Sequence, residues 1–531
     1  MLQTLVGMIV VIAVVTYAAT RLKIPPAIPL VMTGVVLALI PGLPPVTLAP
    51  DLVLLLVLPP VIYSAAVAMS WREFRFSLRP IALLAVGCVI FTTIAVAAVC
   101  HYLLDMSWPL GFTLGAIVSP PDAVAPLSIA RRLQVPRRLL VILEGEGLAN
   151  DATALVLYRF AVAAVSAGTF SLGHAAGTFA VIVVGEIVWG IVVGWLMLRV
   201  RRWVNEPQIE IMLSIVTPFL AYWPPQALGG SGVLATVACG LYISWNGLRL
   251  ISAPTRLQGI FFWGFVIYVT EGIVFLITGL QARALIGGLN GLTIDDLLYD
   301  AALVCGVVIA TRFIWMYPAT YLPRWLFPAI RRADPYPPWT FPFALAFTGV
   351  RGIVSLAAAL AIPFATADGA PFPERNLILF LTFSVIIVTL VGQGLLLPSV
   401  IRALGLAHTG MRERTEDKNE ELEARRLAIS GTIDHLEKLI AKRTLPEEIA
   451  GPLRDHHRGR LRDVSQRRDG DAAHEAANEL NDEIELLLLE AERNRVNDLY
   501  RDGKLHDQGR RRIERDLDLR QARIVNLRDE D

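Results

Sequence analysis

Long apolar runs separated by short arginine-bearing segments set the pattern of the chain as far as residue 404, and a charge-dense sequence with scattered leucines replaces it after residue 411. Runs of roughly 16 to 25 residues, the length at which a helix crosses a bilayer, lie near 2–20, 27–42, 51–69, 81–103, 108–128, 139–163, 177–198, 208–222, 230–245, 259–282, 299–322, 340–363 and 376–402. The pattern predicts an all-α polytopic membrane protein, with about 13 transmembrane helices over 1–404 and a helical cytoplasmic tail over 411–531. In the tail the spacing of Leu422, Leu427, Ile429, Ile433, Leu436 and Leu439, and the run Ile484 to Leu489, suit amphipathic helices.

Three runs contain breakers that a plain anchor would lack: Pro59-Pro60 in the third, Ser119-Pro120-Pro121-Asp122 in the fifth and Thr348-Gly349-Val350-Arg351-Gly352 in the twelfth. Proline removes a backbone donor and clashes with the preceding turn, so mid-membrane breaks imply unwound backbone with free carbonyls. If spans 1 to 6 and 8 to 13 are inverted repeats, the fifth and twelfth occupy corresponding places. Two broken helices that cross near the midplane, with a binding site between them, are the expectation.

Composition agrees: 54% hydrophobic residues, 18% charged and a mean hydropathy of +0.54 exclude an ordinary soluble protein of 531 residues. The net charge of +1 hides an uneven split. Up to Gly410 there are 23 Lys and Arg against 17 Asp and Glu, and after it 25 against 30, so the tail belongs in water. Every second loop, beginning after the first run, is basic, and these loops (with Arg249 and Arg256 in one of them) hold 17 Lys and Arg, while the alternate loops hold Arg283 and Arg375. That asymmetry predicts a cell-membrane protein with the N-terminus outside and the tail in the cytoplasm. Met-Leu-Gln-Thr at the start lacks a basic leader region, so the first run is expected to be a retained span. Cys88, Cys100, Cys239 and Cys305 all fall in apolar runs and should be free buried thiols. There is no glycine-rich phosphate loop, zinc-protease motif or nucleophile–base pair, so neither an enzyme, a cofactor nor a nucleic-acid partner is expected.

The sixth run carries Glu144-Gly-Glu146-Gly-Leu-Ala-Asn150-Asp151. A charge at membrane depth costs ~2.5 to 3.5 kcal/mol on insertion scales and usually marks an ion path. The 100° helical step puts Glu146 and Asn150 one turn apart on one face, and Gly147 and Asp151 on an adjacent face, where the glycine lets another backbone come close to the carboxylate. A polar helix face in a soluble core is the bland alternative, and the membrane-length neighbours oppose it. Asp122, from an unwound span, and Asp151 can present carboxylates to one pocket. With the Ser119 hydroxyl, the Asn150 amide oxygen and freed carbonyls they form a hard oxygen set suited to an alkali cation. A carboxylate that binds a cation cannot also hold a proton, and this competition suffices for exchange. Glu144 is either a funnel residue or a snorkelling end residue. Glu186 and Arg312 can hold helices together, and Glu271 is a proton-path candidate.

Glu146-x-x-x-Asn150-Asp151, Ser-Pro-Pro-Asp122-Ala-Val, Gly279-Leu280-Gln281 and Gly349-Val-Arg351-Gly-Ile-Val resemble monovalent cation/proton antiporters, specifically the sodium/proton exchanger branch, and the resemblance covers about Leu2 to Leu404. It implies that Asp151 is the principal cation and proton carrier, that Asp122 is a second site residue, and that Asn150 holds the crossing helices. It also implies a structural ion pair between Glu146 and Arg351 and a homodimer with separate dimerisation and transport domains. Ser64 stands where many relatives have an acid, Glu271 where a related pattern has asparagine, and Ser-Pro-Pro-Asp122 replaces the commoner Thr-Asp-Pro order. The expected activity is electroneutral exchange of Na+ or Li+ for H+ by alternating access, serving pH and sodium homeostasis. The alternatives are a potassium/proton antiporter and a channel or ion sensor with the tail as output.

Overall fold

The computed structural model describes residues 2–41, 53–167, 172–204, 206–247, 250–287, 293–366, 369–443, 447–468, 472–502 and 504–530; Arg249 of the basic loops lies outside them. Among the described residues the chain is helical throughout, with one isolated bridge between Ala365 and Pro371. It divides into two compact units, Met1–Met411 and Arg412–Asp531.

In the first unit the principal helices are α1 (Leu2–Leu22), α2 (Ala27–Leu39), α3 (Val53–Ala68), α4 (Leu78–Leu103), α5 (Trp108–Val118), α6 (Val124–Arg132), α7 (Arg137–Ala167) and α8 (Leu172–Arg201). They continue as α9 (Pro207–Ala227), α10 (Val233–Gly247), α11 (Ala253–Leu280), α12 (Ile294–Leu326), α13 (Thr340–Phe347), α14 (Ile353–Leu360) and α15 (Arg375–Ala403). Among the described residues, six helices are long and apolar enough to cross a membrane, and several shorter apolar helices accompany them. Large apolar side chains stand exposed along their outer faces, among them Val14 of α1, Val181 and Trp195 of α8 and Phe261 of α11. Lipid is the medium in which such faces are stable.

Where the sequence predicts breaks, two take the expected form. Pro120 and Pro121 cannot donate to the preceding turn, so α5 ends at Val118 and α6 begins only at Val124. Gly349 and Gly352 separate α13 from α14 over residues 348–352 in the same way. Pro59-Pro60 behaves differently. A π-helical turn over Val53–Val57 runs directly into the α-helix Leu58–Ala68, whose first turn has no use for the donors that proline lacks, so α3 stays continuous.

Packing centres on α4, α5 and α7: α5 lies against α4 and α7, and α12 lies against α4. A second group joins α8 to α10 and α10 to α3, and α11 pairs with α2. Ala125, in the first turn of α6, and Val350, in the second unwound stretch, are buried with Ile28 and Val31 of α2 and Phe275 and Leu276 of α11. The breaks are thus enclosed by protein, where irregular backbone at membrane depth is tolerated. All four cysteines are free and buried, as expected.

The second unit takes in most of α16 (Leu406–Arg443), followed by α17 (Glu447–Arg468), α18 (Ala472–Arg501) and α19 (Asp507–Glu530). Leu489 of α18 packs with Leu517 and Ile524 of α19 as a small apolar seam.

Candidate ion-binding site at two crossing broken helices

The two unwound segments touch through their backbones. Asp122 donates its amide to the Val350 carbonyl at 2.7 Å, so that the break after α5 is pinned to the break after α13. One Asp122 carboxylate oxygen accepts the Val124 amide at 2.9 Å, which turns the chain into α6. The other faces Gly352 so closely that a Cβ there would lie 1.8 Å from it. Glycine is therefore required at 352 by space, since its φ of −144° is not the left-handed conformation that would itself call for glycine.

On α7, Asn150 is fully buried and donates its amide to the Pro121 carbonyl at 2.7 Å. That carbonyl can only accept, which fixes the amide orientation and leaves the Asn150 Oδ1 atom buried without a partner. Gly147 brings α7 against the break, because a Cβ there would meet the Ala123 Cβ at 2.6 Å. Asp151 is 8% exposed. Both Asp151 and Glu271 of α11 lie within range of the charge on Asp122. Among the described residues no three Asp, Glu, His or Cys side chains close into a compact metal cluster. The available oxygens are spread over carboxylates, an amide and carbonyls, which is a donor set for a weakly bound alkali ion. Ser119 is buried and spends its hydroxyl proton on the Ala116 carbonyl at 3.2 Å, with its lone pairs still free to accept.

The expected pairing of Glu146 with Arg351 is corrected. Glu146 binds Arg312 of α12 in bidentate fashion, at 2.5 and 2.8 Å, and the Arg312 Nε donates to the Leu345 carbonyl at 3.1 Å. Both side chains are almost completely buried. Arg351 is buried too, but it serves the unwound backbone: its Nε donates to the Val118 carbonyl at 2.9 Å, Nη2 to Ser119 at 3.4 Å and Nη1 to Gly349. Those carbonyls are orphans created by the breaks at the C-terminal ends of α5 and α13, where the helix dipole is negative and a guanidinium is the natural donor. The Arg351 amide in turn donates to the Thr389 hydroxyl at 2.9 Å. A cation inside the unwound segment already has acceptors at hand, which is why the carboxylate falls to the arginine on the intact helix.

The remaining predicted residues divide. Glu144 is ion-paired with Arg131 near the start of α7, a helix-end arrangement away from Asp151. Ser64 is half-buried on α3. Glu186 is a helix holder: its carboxylate accepts the amides of Ser231, Gly232 and Leu234 at 2.5 to 3.0 Å, with the Ser231 hydroxyl also at 3.0 Å. An acid from α8 thus caps the N-terminus of α10. The sequence signal for it was the Gly229-Gly-Ser-Gly turn before an apolar run, a helix start whose single serine accepts one amide, that of Val233 at 3.3 Å, and leaves the others to another chain segment.

Comparison with known proteins bears on the family and the fold. Residues 8–403 match the family described as sodium/hydrogen exchanger, transmembrane. The chain is 33% identical to an uncharacterized Na(+)/H(+) exchanger of Mycobacterium tuberculosis, over 99% of this chain and 97% of that one. It is 34% identical to a sodium, potassium, lithium and rubidium/H(+) antiporter of Bacillus subtilis, over 60% of this chain and 49% of that one. Among solved structures, the sodium proton antiporter MjNhaP1 of Methanocaldococcus jannaschii superposes with a TM-score of 0.59 at 17% identity, covering 76% of this chain and 97% of that one. This chain is a membrane protein of the transmembrane sodium/hydrogen exchanger family.

Proposed function

We propose that the chain is a secondary-active antiporter that exchanges Na+ or Li+ for H+ by alternating access, one for one. The observation that supports this reading is that Asp122, on backbone unwound between α5 and α6 and hydrogen-bonded to the second break, lies within electrostatic range of Asp151 of α7. Asp151 takes either a proton or a cation, Asp122 and the orphan Asn150 oxygen complete the shell, and Ser119 with backbone carbonyls closes it. Glu271, within range of Asp122, supplies from α11 the acid that Ser64 does not supply from α3. The carboxylate crosses loaded with one ion or the other, because the bare charge is the costly species in a low-dielectric barrier. With equal charges exchanged, the membrane potential drops out, and each unit of pH gradient balances a tenfold cation gradient, ~1.4 kcal/mol.

A second reading, broad alkali selectivity including K+, is favoured by the Bacillus relative whose name includes sodium, potassium, lithium and rubidium. We further propose thirteen spans with inverted pairing of 1 to 6 and 8 to 13, an external N-terminus, a homodimer in the cell membrane and a cytoplasmic tail that regulates exchange. The test is proton flux in vesicles reconstituted with the full chain, driven in turn by Na+, Li+ and K+. Asp151→Asn should abolish flux with every cation while the protein remains folded. Cation-driven proton flux that survives the change overturns the assignment, and the cation series decides between the two selectivities.

A further inference from the structure

Three arginines from three helices converge at one end of the membrane-spanning unit. Arg79 lies in the first turn of α4, Arg138 at the start of α7 and Arg324 in the last turn of α12. All three bind Asp334, from the loop before α13, and all three reach the same oxygen, Oδ2: Arg138 at 2.8 Å, Arg324 at 2.7 Å, and Arg79 as well. Burial alone would raise the Asp334 carboxyl, but hydrogen bonds and charge from Arg138 and Arg324 hold it below the ordinary aspartate value, so it is ionised at neutral pH. One carboxylate against three guanidiniums leaves two positive charges. The Nε of Arg138 is buried with no acceptor.

The same three arginines line a small cavity of about 30 Å³ that opens to solvent. Its other walls are apolar, with Leu83, Ile142, Met316, Phe341 and Leu345 among them. Guanidiniums with unused donors at a cavity rim recognise an oxyanion by paired, charge-assisted hydrogen bonds. Thr320 lies among the apolar side chains that border the arginines on the remaining sides. Only Arg324 of the three is buried, while Arg79 and Arg138 keep about a third of their side-chain surface open to solvent, and the lining residues supply no acid to balance the cluster.

We propose that this cavity binds a phosphate oxyanion, which links the ends of α4, α7 and α12. A membrane lipid headgroup and free phosphate share that chemistry. The site is separate from Asp122 and Asp151, and the proposal does not depend on which cation is exchanged.

Purified full-length protein in a neutral detergent is melted against increasing phosphatidylglycerol, phosphatidylcholine or inorganic phosphate, as wild type and as Arg79→Gln, Arg138→Gln and Asp334→Asn. Binding to the folded form raises the melting temperature in a saturable way. We expect a saturable rise with phosphatidylglycerol or with phosphate, and a weaker one, at higher concentration, with phosphatidylcholine, whose phosphate is offset by its own ammonium; an equal rise with phosphatidylcholine overturns recognition by charge. Each arginine change should weaken the midpoint about tenfold, the effect of one charge-assisted bond. A response to phosphatidylglycerol without one to inorganic phosphate assigns the lipid as the source; a response to inorganic phosphate assigns the free ion. Asp334→Asn keeps the test decisive where an arginine variant fails to fold, since removing the competing anion should move the midpoint to lower ligand concentration. No shift with either ligand, equal shifts in wild type and the arginine variants, or an unchanged or weaker midpoint in Asp334→Asn overturns the site.

Discussion

Removing the charge of Glu146 should cost more than removing that of Arg312, and the asymmetry follows from who is left behind. Glu146→Gln takes away two charge-assisted bonds from Arg312, at 2.5 and 2.8 Å, in a place where both side chains are nearly inaccessible. It also removes the nearest counter-charge from Arg351, which lies within range of both Glu146 and Arg312. Two buried guanidiniums then face each other with only carbonyls for company. Stranding one partner of a buried pair costs ~3 to 5 kcal/mol, a hundredfold or more in the ratio of folded to unfolded protein. Arg312→Met is gentler, about 2 kcal/mol, because Glu146 keeps Arg351 within range as a counter-charge. The double variant should lie well above the sum of the singles, as expected for residues that interact. The assay is the yield and thermal melting of detergent-purified protein for the four members of the cycle. Wild-type melting of Glu146→Gln, or strictly additive losses in the double variant, would refute the pairing.

Other consequences can be tested with the same preparation. Gly352→Ala would place a methyl group 1.8 Å from the Asp122 carboxylate, so cation-driven flux should fall at least tenfold and stability should drop by about 1 to 3 kcal/mol; unaltered flux and melting would contradict the close approach. Glu186→Ala should lower stability by about 2 to 4 kcal/mol, since it leaves the α10 amides uncapped, and the apparent affinity for the cation should be unchanged where folded protein is recovered. Because the folded-state carboxyl of Asp334 is lowered, its contribution to stability is present above the ordinary aspartate value, about 3.9, and is lost as pH falls through the folded value. The melting difference between wild type and Asp334→Asn should therefore be constant from neutral pH to about pH 5 and shrink below about pH 4; a difference that grows on acidification would reverse the sign.

Two of the three breaks were legible because proline and glycine act locally, at the two prolines after Ser119 and at Gly349 and Gly352 around Arg351; Pro59-Pro60 falls in the first turn of an α-helix, where proline is tolerated, and breaks nothing. Asp122 and Asp151 stood out in the sequence as acids in apolar spans, but so did Glu186, which caps α10. Which arginine meets Glu146 was not legible, since two buried guanidiniums, Arg312 and Arg351, competed for one carboxylate and only distance decides between them. The better signal was present and was local: an arginine inside an unwound segment lies beside orphan carbonyls and is already satisfied. The Asp334 cluster joins residues 79, 138, 324 and 334, and no spacing rule connects positions so far apart in the chain.

Whether Asp122 and Asp151 hold cation and proton in one site is tested most directly by counting protons released as sodium binds. Titrating purified protein with NaCl by calorimetry, in two buffers of different ionisation enthalpy at one pH, yields that number. Close to one proton released per sodium bound in the wild type at acidic pH, and neither heat nor release in Asp151→Asn, is the predicted result. Sodium binding without proton release, or release that persists in Asp151→Asn, would contradict it.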